Sequence, residues 1–310
     1  KFLMKKPFFS VIIPTFNDAD FLKKALQSCY NQTYKNFEVI VIDNHSTDHT
    51  LKIISLYKKV RYTKIKNYGV IAKSRNLGIQ LSKGRWLAFL DADDYWDKAK
   101  LFNVHSLIKK KSKLDLICHS EWIKNLKNNK KKLWCYGPST NHFYKDLLLL
   151  GNRLSTSAST VKKEFIKKKN IFFDENKNFV TVEDYCFFLT IAKNNGSFFF
   201  LDKPLGYHLY HDKSASSNRF KHFKSFKSVI KHHVYKIQSF TNKKNILYNN
   251  ISAIMSIKKK TLEIKNGKLN LKKINLLVKS LKKKPFITLK YYNYIFFKFL
   301  KQSFLTYIYK

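Results

Sequence analysis

Acidic residues are scarce in this 310-residue chain: 20 Asp and Glu face 61 Lys and Arg, a formal net charge of +41. Such a balance points to a polyanionic partner, either nucleic acid or an anionic membrane surface. Abundant Lys, Asn, Ile, Phe and Tyr also fit an A/T-rich coding sequence, which would raise the charge without any partner. Cysteine is equally sparse. Cys29, Cys118, Cys135 and Cys186 are widely spaced and contain no CxxC, so neither a zinc site nor a disulfide framework is indicated, and a reduced, cytoplasmic setting is expected. No uninterrupted apolar run reaches the roughly 18 residues of a spanning helix, and no signal pattern opens the sequence, with Met4 a candidate start. GxGxxG and P-loop patterns are both missing, which excludes a glycine-lined phosphate cradle. An anionic ligand must then be held by a metal or by Arg and Lys. Arg75 is a candidate clamp, with an exposed helix arginine as the alternative.

What is present begins with Trp86–Trp96. The apolar run Trp86–Leu90 ends in Asp91, Asp93 and Asp94. A short apolar run reads as a buried parallel strand, and ligands of open α/β sheets bind beyond the carboxyl ends of such strands. Three close carboxylates repel unless a cation joins them, and a hard divalent ion is the simplest candidate. A polar turn capping a helix is the plainer alternative. Before this run, Phe8–Ile13 reads as a first strand closed by Pro14, Thr15, Phe16 and Asn17. Asp18 or Asp20 can cap the helix that follows, with Leu22, Ala25, Leu26 and Cys29 on one face. Phe37–Ile42 is a second strand closed by Asp43, with Ser46, Thr47 or Asp48 capping the next helix. Val60–Lys66 is a weaker third strand, and a helix carries Ile71, Ser74, Arg75, Gly78 and Leu81. This alternation predicts a parallel sheet covered on both faces, with Thr15, Asp43 and Asp91 gathered along one edge.

The middle of the chain is less regular. Leu114–Cys118 suits a strand, and Asn125–Lys132 a basic loop. The hydroxyl-rich run Asn152–Thr160 suits a strand or loop lining an acceptor site, or plain turns. Glu183 and Asp184 open an apolar helix, where capping is an alternative role. Leu201–Tyr210 contains Pro204, which predicts an edge strand or loop, and ends at His211. After Asp212 the only acid is Glu263, while lysine blocks alternate with aromatic pieces. Tyr291–Leu305 reads as an interfacial amphipathic helix on an anionic membrane, or as a basic helical subdomain.

Taken in series, Val11–Asn17, Ile42–Thr50, Ser74–Gly78, Phe89–Asp94 and Glu183-Asp184 resemble the family 2 glycosyltransferases of the GT-A fold, over roughly residues 7 to 212. The resemblance implies an α/β fold: a Rossmann-like, mostly parallel sheet with helices on both faces. Residues 1–214 would form the catalytic domain, with a nucleotide-binding half (1–97) and an acceptor-binding half (98–214). Residues 215–310 would form a basic, mainly helical extension. The resemblance also implies roles. Pro14, Thr15, Asn17, Asp43, Arg75 and Asp91 would contact the nucleotide. Asp93 would hold Mg²⁺ or Mn²⁺, with Asp94 supporting that shell and His211 as a further contact. Asp184 would be the catalytic base, beside Glu183. Asn44 and His45 stand where a second Asp usually follows Asp43. The donor would be a UDP-sugar and the acceptor a glycan or glycolipid, handled at the inner face of the cytoplasmic membrane by an inverting enzyme of bacterial cell-surface glycan synthesis. No specific nucleic acid is expected as a partner. Transfer to polyprenyl phosphate is an alternative within the family. A nucleotidyltransferase and a non-catalytic polyanion binder are the rivals outside it.

Overall fold

The computed structural model describes residues 6–212, 214 and 217–263, together with 293, 296, 301, 305, 306, 308 and 309. The interfacial helix expected over 291–305 and the lysine block at 281–284 therefore lie outside or almost wholly outside the described residues. The chain falls into two compact units, Lys1–Ser139 with Arg153–Phe226, and Thr140–Asn152 with Lys227–Lys310.

The first unit opens with β1 (Phe9–Thr15), α1 (Ala19–Tyr30), β2 (Phe37–Asp43), α2 (Thr50–Ser55), β3 (Val60–Lys64), α3 (Ile71–Leu81) and β4 (Trp86–Phe89). β2 pairs with β1 and β3, and β1 with β4, all in parallel. All seven residues of β1 are buried. Alternate side chains of these strands face opposite ways, and both sets are apolar because both faces are covered. Val11, Ile13, Val39, Val41, Ala88 and Leu90 pack with Leu22, Leu26, Ile53 and Ile54 of α1 and α2. On the other face α3 presses against β1. A methyl group added at Gly78 would sit 2.4 Å from Ile12 Cγ2, so glycine sets the approach distance. Phe89 packs there edge-on to Phe173 and Phe187, at ring separations of 5.3 and 6.0 Å. Each fully buried side chain of this size contributes roughly 1.5–3 kcal/mol relative to exposure.

Asp48 is one of the caps expected for α2, but the start of α1 departs from the expected Asp18 or Asp20. Asp48 serves both helices: its Oδ2 accepts the Ala19 N–H of α1 at 3.0 Å, and its Oδ1 accepts the Thr50 N–H and hydroxyl of α2 at 3.0 and 2.6 Å.

The unit continues through β5 (Tyr95–Trp96), α4 (Lys100–Lys110), β6 (Leu116–Asn125) and β7 (Lys131–Trp134). After an excursion into the second unit it resumes with β8 (Ser159–Lys162), α6 (Lys163–Lys168), α7 (Glu183–Lys193) and β9 (Phe198–Tyr210). The sheet order is β3-β2-β1-β4-β8-β6-β9-β5, with β7 paired to β6. Beyond β4 the sheet is mixed: β8 runs antiparallel to both β4 and β6, and β9 runs parallel to β6. Two expectations are corrected. The stretch 125–132 is not simply a loop: β6 and β7 form a hairpin with Lys124 opposite Lys131, and Asn129 supplies a left-handed turn at φ 53°. Lys131 covers the Trp122 ring at 4.6 Å, which is how a lysine-rich strand finds a packing partner. Residues 201–210 form neither an edge nor a loop, because β9 lies between β6 and β5. Pro204 is accommodated opposite Ser120, where the β6–β9 register shifts.

The second unit is helical where described. It contains α5 (Phe143–Leu150), the end of α8 (Arg219–His232) from Lys227 onward, a π-helical turn (His233–Ile237) and α9 (Lys244–Glu263). No helix among the described residues is long and apolar enough to cross a membrane.

Candidate active site

Past Phe89 the chain leaves the sheet and turns, with the Asp94 N–H donating to the Asp91 carbonyl at 3.0 Å. The three carboxylates then face different partners. Asp91 Oδ1 accepts from the Arg75 guanidinium at 2.7 Å. Asp93 Oδ2 lies 3.0 Å from His211 Nε2, and the His211 ring stacks on Phe21 of α1 at 4.6 Å. Asp94 is turned inward. It accepts from the Ser157 hydroxyl at 2.6 Å, the Leu209 N–H at 2.9 Å and His208 Nδ1 at 3.2 Å. Burial, with Asp94 and Asp91 close by, pushes the Asp93 carboxyl up to about 8. Asp94 holds the His208 imidazole up at about 10.

Arg75 joins this turn to the start of α7. Its second nitrogen donates to Glu183 Oε1 at 2.6 Å, a partner 108 positions further along the sequence, so one buried guanidinium joins two distant carboxylates. Burial opposes its charge, yet Asp91 and Glu183 hold it above the ordinary arginine range. Glu183 Oε2 is buried without a hydrogen-bond partner. Asp184 follows, accepting the Tyr185 N–H at 2.7 Å and lying 3.5 Å from the Thr156 hydroxyl. Burial and the neighbouring Glu183 push its carboxyl up to about 7, against the pull of Arg75. A group poised there can take a proton near neutral pH.

The nucleotide-side residues stand at the ends of β1 and β2, where Thr15 is the register partner of Asp43. Pro14 is buried within β1 opposite Ile42. The Thr15 hydroxyl is buried with no hydrogen-bond partner. Asp43 is buried and accepts from the Ser46 N–H and hydroxyl at 2.9 and 2.6 Å, and from Tyr62 OH at 2.8 Å. Asn17, at φ 52°, fastens the two loops together: its N–H donates to Ser46 Oγ at 2.9 Å and its Oδ1 accepts from the Thr47 N–H at 2.8 Å.

Sequence reasoning missed His208, Tyr62 and the particular work of Ser157. Ser157 lies inside the hydroxyl-rich run Asn152–Thr160, expected as a strand or loop lining an acceptor site or as plain turns. In the structure its oxygen also accepts the Asp91 N–H at 3.1 Å, and its carbonyl accepts Trp96 Nε1–H at 2.8 Å. No group of three His, Cys, Asp or Glu side chains among the described residues forms a ready metal cage.

The model of the family described as Glycosyl transferase family 2 matches residues 10–180. An Escherichia coli protein named UDP-Glc:alpha-D-GlcNAc-diphosphoundecaprenol beta-1,3-glucosyltransferase WfaP is 31% identical over 225 residues, covering 72% of this chain and 85% of the relative. Among solved structures, Staphylococcus aureus TarS 1-349 in complex with UDP-GlcNAc superposes with a TM-score of 0.64 at 21% identity, covering 88% of this chain and 80% of that one. The Pyrobaculum calidifontis mannosyltransferase PcManGT, in complex with GDP-Man and Mn²⁺, gives a TM-score of 0.52 at 15% identity over 98% and 86% of the two chains.

Proposed function

The chain belongs to glycosyl transferase family 2, and on that premise we propose that it moves a hexose or N-acetylhexosamine from a UDP-sugar to a hydroxyl of a lipid-linked or other cell-surface glycan, with inversion at the anomeric carbon. The observation that carries this reading is the bridge made by Arg75, which ties a donor-side carboxylate turn to the proton-accepting pair at the start of α7. The E. coli relative, whose name specifies a UDP-glucose donor and a diphosphoundecaprenol-linked acceptor, supports the substrate classes. Work on such an acceptor would place the protein at the inner face of the cytoplasmic membrane, and the excess of basic residues suits that surface.

A divalent cation fits the residues present. Asp93 and His211 meet at one point, and burial together with the neighbouring Asp94 and Asp91 makes Asp93 resist ionisation. Mg²⁺ and Mn²⁺ are commonly held by one or two protein groups plus substrate phosphates, so a full protein cage is not required. Asp93 and His211 would hold the ion, and Asp94, occupied by Ser157, Leu209 and His208, would fix the turn behind it. When bound, such a cation neutralises charge growing on the leaving diphosphate. The Thr15 hydroxyl and Asp43 would position the base, Asp43 through lone pairs left after Ser46 and Tyr62 are served. Asp91 would take the ribose, oriented by Arg75. Asp184 would remove the acceptor hydroxyl's proton as that oxygen bonds to the anomeric carbon, while the sugar–phosphate C–O bond breaks and its electrons leave with UDP.

A panel of UDP- and GDP-sugars, assayed for hydrolysis and transfer with Mg²⁺, Mn²⁺ or EDTA, tests this directly. The expected result is UDP-sugar turnover that EDTA stops and Asp93→Ala abolishes, with product of inverted anomeric configuration by NMR. Turnover indifferent to both EDTA and Asp93→Ala would overturn the metal assignment, and a retained configuration would overturn the mechanism.

A further inference from the structure

The far end of β4 carries a feature the transfer chemistry does not use. Trp86 lies five residues before Asp91, roughly 17 Å of extended chain away. Beside it is a cleft of about 530 Å³ walled by Lys83, Arg85, Lys162, Lys163, Lys167 and Lys168, with Glu164 as its only acid. The fold assembles these cations from separate segments. Lys162 is the register partner of Trp86 at the end of β8, and the Lys163 N–H donates to the Arg85 carbonyl at 3.0 Å. α6 begins there at once, which places Lys167 one helical turn beyond Lys163 on the same side. At the floor, Gly84 runs so close to β1 that an added methyl would lie 2.5 Å from the Ser10 nitrogen.

Little within the protein neutralises this cleft. Glu164 pairs with Lys162 at 3.5 Å. Nearby Glu38 is taken by Arg61 at 2.6 Å, the Ser10 hydroxyl at 2.6 Å and the Lys83 N–H at 2.6 Å. Lys163 donates to the Ser82 carbonyl rather than to a carboxylate. Burial and the nearby Lys167 hold its ammonium below the ordinary lysine range. Like charges in a concavity focus a positive potential. An arginine fork flanked by lysine point charges is the donor set that phosphate oxygens take up.

We propose that this cleft is an anion-binding site for a phosphate or diphosphate group, separate from the carboxylate cluster at the opposite end of β4. The group can arrive on an anionic lipid headgroup or on a soluble phosphate ester, since both present the same oxygens.

Site-resolved lysine acetylation of the full chain, read by mass spectrometry, tests the proposal with inorganic pyrophosphate as the soluble probe. Protection of Lys163, Lys167 and Lys168 should saturate, reaching about tenfold at ten times the half-saturating concentration. Lys109 and Lys110, exposed at the end of α4, serve as controls and should keep their reactivity. Excess UDP should leave the protection in place. Arg85→Gln with Lys168→Glu should abolish protection at Lys163, whereas Lys109→Glu with Lys110→Glu should not. Vesicles of phosphatidylglycerol, against phosphatidylcholine, identify the source: protection by the anionic vesicles assigns a headgroup, and protection by pyrophosphate alone assigns a soluble ester. Equal protection of Lys109 and Lys110, or none with either probe, would overturn the site. Sugar transfer is not measured in this experiment, so its outcome is independent of the proposed catalytic function.

Discussion

Replacing Arg75 with methionine should be among the most damaging single changes available to this fold, and the structure says why. The methionine fills much the same volume but leaves two carboxylates without the cation that both now share at 2.6 and 2.7 Å. The two do not suffer equally. Asp91 is 29% exposed and can recruit water, whereas Glu183 is 8% exposed and already has one oxygen without a partner. Stranding a buried charge in this way costs about 3–5 kcal/mol, a large share of the roughly 5–15 kcal/mol that ordinarily separates folded from unfolded chains. Urea titration followed by tryptophan fluorescence gives the loss. Glu183→Gln in the same background should recover more than half of it, because the stranded charge is gone. Arg75→Lys should fall in between, since one ammonium cannot fork to both acids. Losing Arg75 also removes the pull that holds Asp184 down, so its carboxyl should rise further and the acid limb of the rate profile should move to higher pH. A loss below about 1 kcal/mol for Arg75→Met, or no recovery on adding Glu183→Gln, would refute the bridge as a structural element.

Three further outcomes are expected. Asp184→Asn should fold normally and lose about 10²- to 10⁴-fold in turnover, while the wild-type rate falls as pH drops through about 7; near-normal turnover in steady-state assays would remove Asp184 as the base. Gly78→Ala should lower the urea midpoint by the equivalent of about 1–3 kcal/mol, because its methyl group meets Ile12. Lys100 is fully buried, its ammonium has no hydrogen-bond partner, and burial pushes it down to about 7. The unfolded chain therefore binds more protons than the folded one between about pH 7 and the ordinary lysine value, so this residue makes stability rise with pH across that window. Lys100→Met should flatten that rise in denaturation curves and stabilise the protein at pH 7.

The first four strands and their helices were legible because local patterns carry them. Apolar runs such as Val11–Ile13 and Val39–Ile42 are short and continuous and end at Pro14 or Asp43, so period and punctuation agree. The carboxylate turn was legible for the same reason. Beyond Trp96 the deciding contacts are long in sequence: Arg75 with Glu183, Ser157 with Asp94, Asp94 with His208. No local periodicity signals such pairs. β9 looked like an edge because proline normally shuns interior strands, and only the register shift opposite Ser120 reveals why it is tolerated. Lys131 and Lys132 hid a hairpin because aromatic rings, those of Trp122 and Trp134, supply packing that a lysine run does not announce. Residues 140–152 belong with the C-terminal unit, a membership that composition does not announce.

Asp48 works as a shared latch. One carboxylate closes the first turns of two helices that begin at Ala19 and Thr50, so neither can fray without loosening the other. Amide exchange at Ala19 and Thr50 should then open as a single event, and the loops that lead into these helices, one after Thr15 and one after Asp43, would gain or lose order together.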